Sequence, residues 1–190
     1  MSAQRSFVPA LLAALGGLLL ATVAGSCGYS TRMSAGPDAE TIGLEYFDNQ
    51  SDLRDIEAPL YDALSRAIVE RVSAPLVAPE RADLVVRGTV LEYERRGGIR
   101  STTNRLLETG VRLQVRAWLF DRVAGLAVGQ PVESTVDVGY VVADATGDPS
   151  TPQMTRRNRV LEVTNELEAR ERALRNVSER LVLDLFGGMN

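Results

Sequence analysis

The sequence predicts an α/β (α+β) two-layer sandwich: a four-stranded mixed sheet with two helices on one face, in the order β-α-β-β-β-α. Three observations carry this expectation. Residues 41–47, 109–120 and 132–140 alternate apolar and polar side chains with the two-residue period of a half-buried strand. Residues 56–73 and 160–185 space their apolar side chains by three and four, the period of an amphipathic helix. The links among the last three strands have hairpin length, whereas a helix separates the first two. The former therefore pair antiparallel, and the latter run parallel if adjacent.

Taken in order, Ile42, Leu44 and Tyr46 alternate with Thr41, Gly43 and Glu45 in the first strand, which Asp48-Asn49-Gln50-Ser51-Asp52 breaks. Ile56, Leu60, Leu64, Ala67, Ile68 and Val72 then form one helical face, with Asp55 or Asp52 as its cap and Pro59 tolerated in the first turn. Pro75 and Pro79 prevent its continuation. Residues 83–93 are apolar enough for an interior strand. Residues 109–120 set Val111, Leu113, Val115, Ala117 and Leu119 against Arg112, Gln114, Arg116 and Trp118, one row for the core and one for water. The fourth strand turns Val132, Val136, Val138 and Tyr140 inward and Glu133, Thr135 and Asp137 outward. After a loop at 145–152, Thr151-Pro152 offers a helix start, although the basic stretch Arg156-Arg157-Asn158-Arg159 could itself open the helix. Val160, Val163, Leu167, Leu174, Val177, Leu181 and Leu185 share one face until Gly187-Gly188 ends it.

Residues 1–26 read as a secretory signal, with Arg5 and the free amine ahead of an apolar run at 7–20. Small residues then lead into the only cysteine, Cys27, in the manner of a bacterial lipobox, whose thiol receives diacylglycerol. Ala24-Gly25-Ser26 also satisfies ordinary signal peptidase, which would release a soluble periplasmic protein, and an uncleaved anchor is the third option. Pro9, Gly16 and Gly17 interrupt the run and argue against the anchor. Gly28 in place of Asp directs a lipidated product to the outer membrane, on its periplasmic face. Residues 27–40 then form the lipidated cysteine and its tether, 41–186 the domain and 187–190 a tail.

Composition excludes much. The 190 residues contain no histidine and one cysteine, and all 21 basic residues are arginine, so histidine triads, Cys/His zinc sites, internal disulfides and lysine Schiff bases are absent. A net charge of −4 disfavours nucleic acid as a partner. No phosphate loop, nucleophile elbow or dinucleotide motif is present. Asp137, Asp144 and Asp148 miss the register of a calcium loop, and neither metal nor cofactor is expected. Glu133 with Asp137 is the nearest approach to a catalytic carboxylate pair, but cross-strand pairing with Arg112 and Arg116 accounts for both. The chain therefore reads as a binding protein rather than an enzyme, a lipid-anchored carboxylate hydrolase being the remote alternative. Arg95, Arg96, Arg100 and Arg105 gather in the link between strands two and three. There, planar guanidinium forks would suit an anionic headgroup, or form a solvated hairpin tip. Arg112, Arg116 and Trp118 on the uncovered face would suit a protein partner, or simply water. Arg156, Arg157 and Arg159 at a helix start oppose the helix dipole, a cost that an acidic partner would relieve.

Cys27-Gly28-Tyr29, the stretch from Thr41 to Asn49 (TIGLEYFDN), the helix after it and the stretch from Ala82 to Val90 (ADLVVRGTV) resemble the LptE family of lipopolysaccharide-assembly lipoproteins over most of residues 27–186. The resemblance implies a two-layer sandwich tethered to the outer membrane by its lipid, plugging an LptD-like β-barrel, assisting its assembly and binding lipopolysaccharide. Carried over by place in the pattern, it assigns headgroup contacts to Arg95, Arg96, Arg100 or Arg105 and barrel contacts to Arg112, Gln114, Arg116 and Trp118. An auxiliary lipoprotein of an ABC-type lipid transporter is the alternative reading.

Overall fold

A computed structural model describes residues 32–36, 39–100, 102, 106–142 and 152–188, with 106–107 and 152–160 described by their backbone. The strands are β1 (Ile42–Leu44), β2 (Asp48–Asn49), β3 (Leu76–Val77), β4 (Leu84–Arg100), β5 (Leu106–Asp121) and β6 (Leu126–Val141). Helix α1 (Glu57–Arg71) lies between β2 and β3, a 3-10 turn (Pro79–Arg81) precedes β4, and α2 (Pro152–Phe186) closes the chain. One open mixed sheet runs in the order β3-β1-β4-β5-β6, with β2 added to β4.

The topology follows from the links. The α1 crossover leaves β1 parallel to β4, with Ile42 opposite Leu84, while short turns leave β4, β5 and β6 antiparallel. The four expected strands are present, and two two-residue strands join them. Asp48 and Asn49, expected only to break β1, pair in parallel with Thr89 and Val90. They do so because β4 continues past the end of β1 and offers free backbone groups there.

Every apolar position assigned to the α1 face is buried: Ile56, Leu60, Leu64, Ala67, Ile68 and Val72. The cap differs from expectation. Ile56 is the N-cap and has no side-chain cap bond, so neither Asp52 nor Asp55 caps; Asp55 instead sits at φ 62°, the left-handed region that aspartate tolerates in a tight turn. Val111, Leu113, Val115, Ala117 and Leu119 of β5 join Val86, Val90, Val136 and the buried faces of α1 and α2 in one core cluster. Both helices therefore cover the same sheet face.

Helix α2 begins at Pro152 and stops before Gly187, whose N–H bonds Leu183 O at 2.8 Å. Its C-terminal part is buried at Ala169, Ala173, Leu174, Val177, Leu181, Val182, Leu185 and Phe186. Val163 and Leu167, expected on this face, are 53% and 45% exposed. The helix meets the sheet through polar groups in this stretch, Asn165 donating to Val141 O and Glu166 pairing with Arg95, while the groove against α1 starts only at Glu171. With Arg172 bonding Gly139 O and Arg180 bonding Thr135 O, Asn165 also covers carbonyls along β6, a terminal strand.

Residues 32–36 of the expected tether lie on the domain: Met33 bridges Val72, and Ala35 is 2% exposed.

Candidate functional site

On the sheet face opposite the helices, the 3-10 turn packs over Gly43 beside the buried Val85, and no helix covers the β4–β6 part of that face among the described residues. Strand alternation and register place its residues in rows. Arg112 lies between Glu94 on β4 and Asp137 on β6, Gln114 between Glu92 and Thr135, and Arg116 between Thr89 and Glu133. Trp118 follows opposite Arg87. The predicted outward row of Arg112, Gln114, Arg116 and Trp118 thus exists, with Arg116 exposed and the other three partly buried.

The charges on this face are tied to one another. Arg112 reaches Asp137 at 3.2 Å and Glu94 at 3.3 Å, and the hydrogen bond to Asp137 holds its guanidinium above its ordinary basicity. Arg116 reaches Glu133 Oε1 at 2.6 Å through Nη2 and 2.7 Å through Nε. The two carboxylates that might have formed an acid–base pair are thus engaged by the expected arginines. One strand over, Arg87 bonds Glu45 at 2.7 Å and stands 4.1 Å above the Phe120 ring, a cation–π contact. Glu45, Arg87 and Phe120 belong to this face and escaped the sequence reading. Their positions on alternating strands were available as a signal; the parallel pairing of β1 with β4 supplied the missing register. Chemically, the surface is a flat array of oriented guanidinium and carboxylate groups around one indole, suited to pairing with polar groups of another chain.

The four headgroup arginines are not all brought together. Arg95 and Arg96 lie inside β4 rather than in a link, so the pleat sends them to opposite faces. Arg95 faces α2 and grips Glu166 with both nitrogens of its fork, Nε to Oε1 at 2.8 Å and Nη2 to Oε2. This bond raises the basicity of Arg95, and the Glu166 charge adds to burial in pushing the Tyr93 and Tyr140 phenols up. Arg96 belongs to the other face, and its carbonyl accepts from Thr109 Oγ1 at 2.5 Å. Arg100, opposite Leu106, ends β4. Arg105 and Cys27 lie outside the described residues, as do Asp144 and Asp148; the side chains of Arg156, Arg157 and Arg159 are likewise not described. Glu166 is the acidic residue the sequence reading missed, since its place among the exposed acids of α2 gave no sign that it turns inward. The register shifts between Arg96 and Ile99 mark the bulge through which Gly97-Gly98 pass within the strand instead of turning it.

Between α1 and α2 a groove of about 360 Å³ is lined by Asp62, Arg66, Glu70, Glu171 and Arg175, with Arg71 bridging to Glu179 at 2.8 Å at one side. Its mixed charges and shallow apolar floor offer no convergent donor set.

The family model described as LptE: Lipopolysaccharide-assembly matches residues 39–185. Among solved structures, the PelC dodecamer from Paraburkholderia phytofirmans is similar at 12% identity and a TM-score of 0.50, covering 82% of this chain and 97% of that one. Rare lipoprotein B from Shewanella oneidensis is similar at 14% identity and TM-score 0.44, covering 76% and 92%. A minor lipoprotein from Acinetobacter baumannii is similar at 18% identity and TM-score 0.43, covering 78% and 91%. No curated protein matches.

Proposed function

We propose a lipid-anchored, non-enzymatic role in lipopolysaccharide transport for this chain, which belongs to the LptE: Lipopolysaccharide-assembly family. In this reading residues 1–26 are removed, Cys27 is acylated, and the domain stands on the periplasmic face of the outer membrane. Its bare sheet face docks on an LptD-like β-barrel as a plug that assists the barrel's assembly. The observation that supports this best is the disposition of the two sheet faces: one is covered by both helices, and on the other the β4–β6 part is polar, registered and without a covering helix among the described residues. Arg112, Gln114, Arg116 and Trp118 would make the barrel contacts, with Trp118 as the anchor that excludes water around the charge pairs.

Lipopolysaccharide, or a related anionic glycolipid, would meet the arginine end, at Arg95, Arg96, Arg100 and Arg105. The pleat divides the work: Arg96 acts from the barrel-facing side, and Arg95 from the helix side once phosphate outcompetes Glu166 for its fork. Acyl chains on Cys27, at about 0.8 kcal/mol per buried methylene, would hold the protein without a spanning helix; no helix among the described residues is long and apolar enough to cross a membrane.

Affinity purification from detergent-solubilised envelopes tests the reading. A β-barrel should co-purify with the parent and drop by at least about tenfold with Trp118→Ala plus Arg116→Glu, as loss of a central anchor and a charge pair implies. Recovery of an inner-membrane permease instead would establish the ABC-transporter alternative. Arg95→Ala with Arg96→Ala should weaken lipopolysaccharide binding more than barrel binding; equal glycolipid binding by variant and parent would refute the headgroup assignment.

A further inference from the structure

The β5–β6 turn presents apolar side chains to solvent at one end of the sheet. Val123 is 80% exposed and Leu126 66%, with Ala124, Gly125 and Ala127 exposed beside them. Such a tip ordinarily carries polar turn residues. It is also held stiffly. Asp121 Oδ1 accepts from the N–H groups of Val123 and Ala124, both at 2.8 Å, and Gly125 takes φ 69°, the left-handed region that glycine enters without strain. Arg122 anchors the turn to the chain ahead of β4, donating from its backbone N–H to Asp83 O at 3.0 Å and from Nε to Ala82 O at 2.9 Å.

This tip shares its end of the sheet with the point where the N-terminal segment joins the domain. Leu126 pairs with Asp121, Asp121 with Leu84, Leu84 with Ile42 and Ile42 with Leu76, a single transverse row spanning about 20 Å at one strand spacing per step. Just ahead of Leu76 in the chain, Met33 bridges Val72 and accepts from Ser73 N–H at 2.9 Å. Met33 lies six positions after Cys27, a reach of at most about 20 Å.

We propose that the Val123–Leu126 tip dips into the bilayer leaflet that holds the lipid on Cys27, giving the domain a second contact with the membrane surface and fixing its tilt. This rests on acylation of Cys27. A stiff turn bearing two branched aliphatic side chains suits the boundary between headgroups and acyl chains, where apolar area is buried without ordering a new segment. The short tether keeps this end of the sheet near the leaflet, whereas the other end, at Ile99, lies about 50 Å along β4 and stays clear of the lipid.

The test uses the full acylated chain in phosphatidylethanolamine/phosphatidylglycerol vesicles, with a single introduced cysteine, Val123→Cys or Ile99→Cys, carrying an environment-sensitive fluorophore. Mass spectrometry of the N-terminal peptide reports acylation separately. Nitroxide-labelled lipid should quench the probe at position 123 at least about threefold more than at position 99, with a blue-shifted emission, as interfacial burial requires. Equal quenching at both positions in a chain shown to be acylated overturns the tip contact and leaves the lipid reading standing. A bare Cys27 sinks the lipid reading and the tip contact with it. In the soluble Cys27→Ala form without vesicles, shielding of position 123 that grows with protein concentration would assign the tip to a second copy and overturn the membrane contact.

Discussion

Gly88 on β4 shows how tightly a single position can be determined. Its Cα faces the core between Val86 and Val90, and a methyl group built there runs into the Phe47 ring and lies 2.5 Å from Arg116 O. The aromatic ring takes the space that a side chain would fill. Gly88→Ala should therefore destabilise the domain by about 1–3 kcal/mol, the usual cost of overpacking a closed core, and Phe47→Leu in the same chain should recover part of it. Denaturant midpoints of the three variants check this; additive losses would show that the two sites do not share a void.

Asp83 governs where β1 starts. Its Oδ2 accepts from the Thr41 hydroxyl at 2.7 Å and from the backbone N–H groups of Thr41 and Glu40 at 2.9 and 3.1 Å. The Thr41 hydroxyl bond, then its amide, hold the Asp83 carboxyl below its ordinary value. A carboxyl depressed on folding contributes stability that is complete above the unfolded value of about 3.9 and is lost as pH falls through the folded value. Asp83→Asn should accordingly melt below the parent at neutral pH, and the two melting temperatures should converge on acidification below about pH 4. Parallel curves across that range would remove Asp83 from the acid limb.

At the level of elements, β5 was the most legible. Ten residues from Val111 to Phe120 alternate without exception, and the register bears out each inward and outward assignment. Helix α1 was equally plain because one apolar stripe meets one core. Legibility failed where structure depends on a neighbour. The continuation of β4 through Gly97-Gly98 requires β5 alongside it, the two-residue strands β2 and β3 exist only as additions to longer ones, and the buried stripe of α2 shifts where α1 stops covering it. The same limit hid the Arg95–Glu166 pair, whose partners are 71 residues apart. Period two already offered Glu133 and Asp137 as partners for Arg112 and Arg116, but it could not show which arginine meets which carboxylate or that Glu94 joins them; the register supplied that.

Strand β6 carries a further consequence. A long terminal strand exposes a row of backbone groups that invite pairing with another chain. Here Asn165, Arg172 and Arg180 extend from α2 to the carbonyls of Val141, Gly139 and Thr135. The helix thus protects the edge with its side chains rather than with its apolar face. Arg172→Ala with Arg180→Ala should leave melting nearly unchanged, since each exposed bond contributes at most about 1 kcal/mol. The variant should nevertheless associate more readily at high concentration. Sedimentation of variant and parent distinguishes this from a purely local loss, which would leave the two sedimenting alike.

For the molecule as a whole, the buried core joins the beginning and the end of the domain: Ala35, Ile42 and Leu60 belong to the same cluster as Leu181, Val182, Leu185 and Phe186. Local segments cannot persist alone under this arrangement. Strand β1 is three residues long, and α1 has its apolar face closed by α2. The last turn and a half of α2 is therefore a structural keystone rather than a frayed end. Removing residues 181–190 strips four buried side chains, each worth about 1.5–3 kcal/mol of burial, against a total stability of about 5–15 kcal/mol for a domain of this size. That truncation should yield a chain without a cooperative melt. Removing residues 187–190 leaves Phe186 in place and should shift the melting temperature by no more than about 2 °C, because it spares all four of those side chains. Calorimetry on both truncations decides the matter: a cooperative, near-parental transition in the shorter chain would mean that sheet and α1 form a folding unit of their own, with α2 docked afterwards.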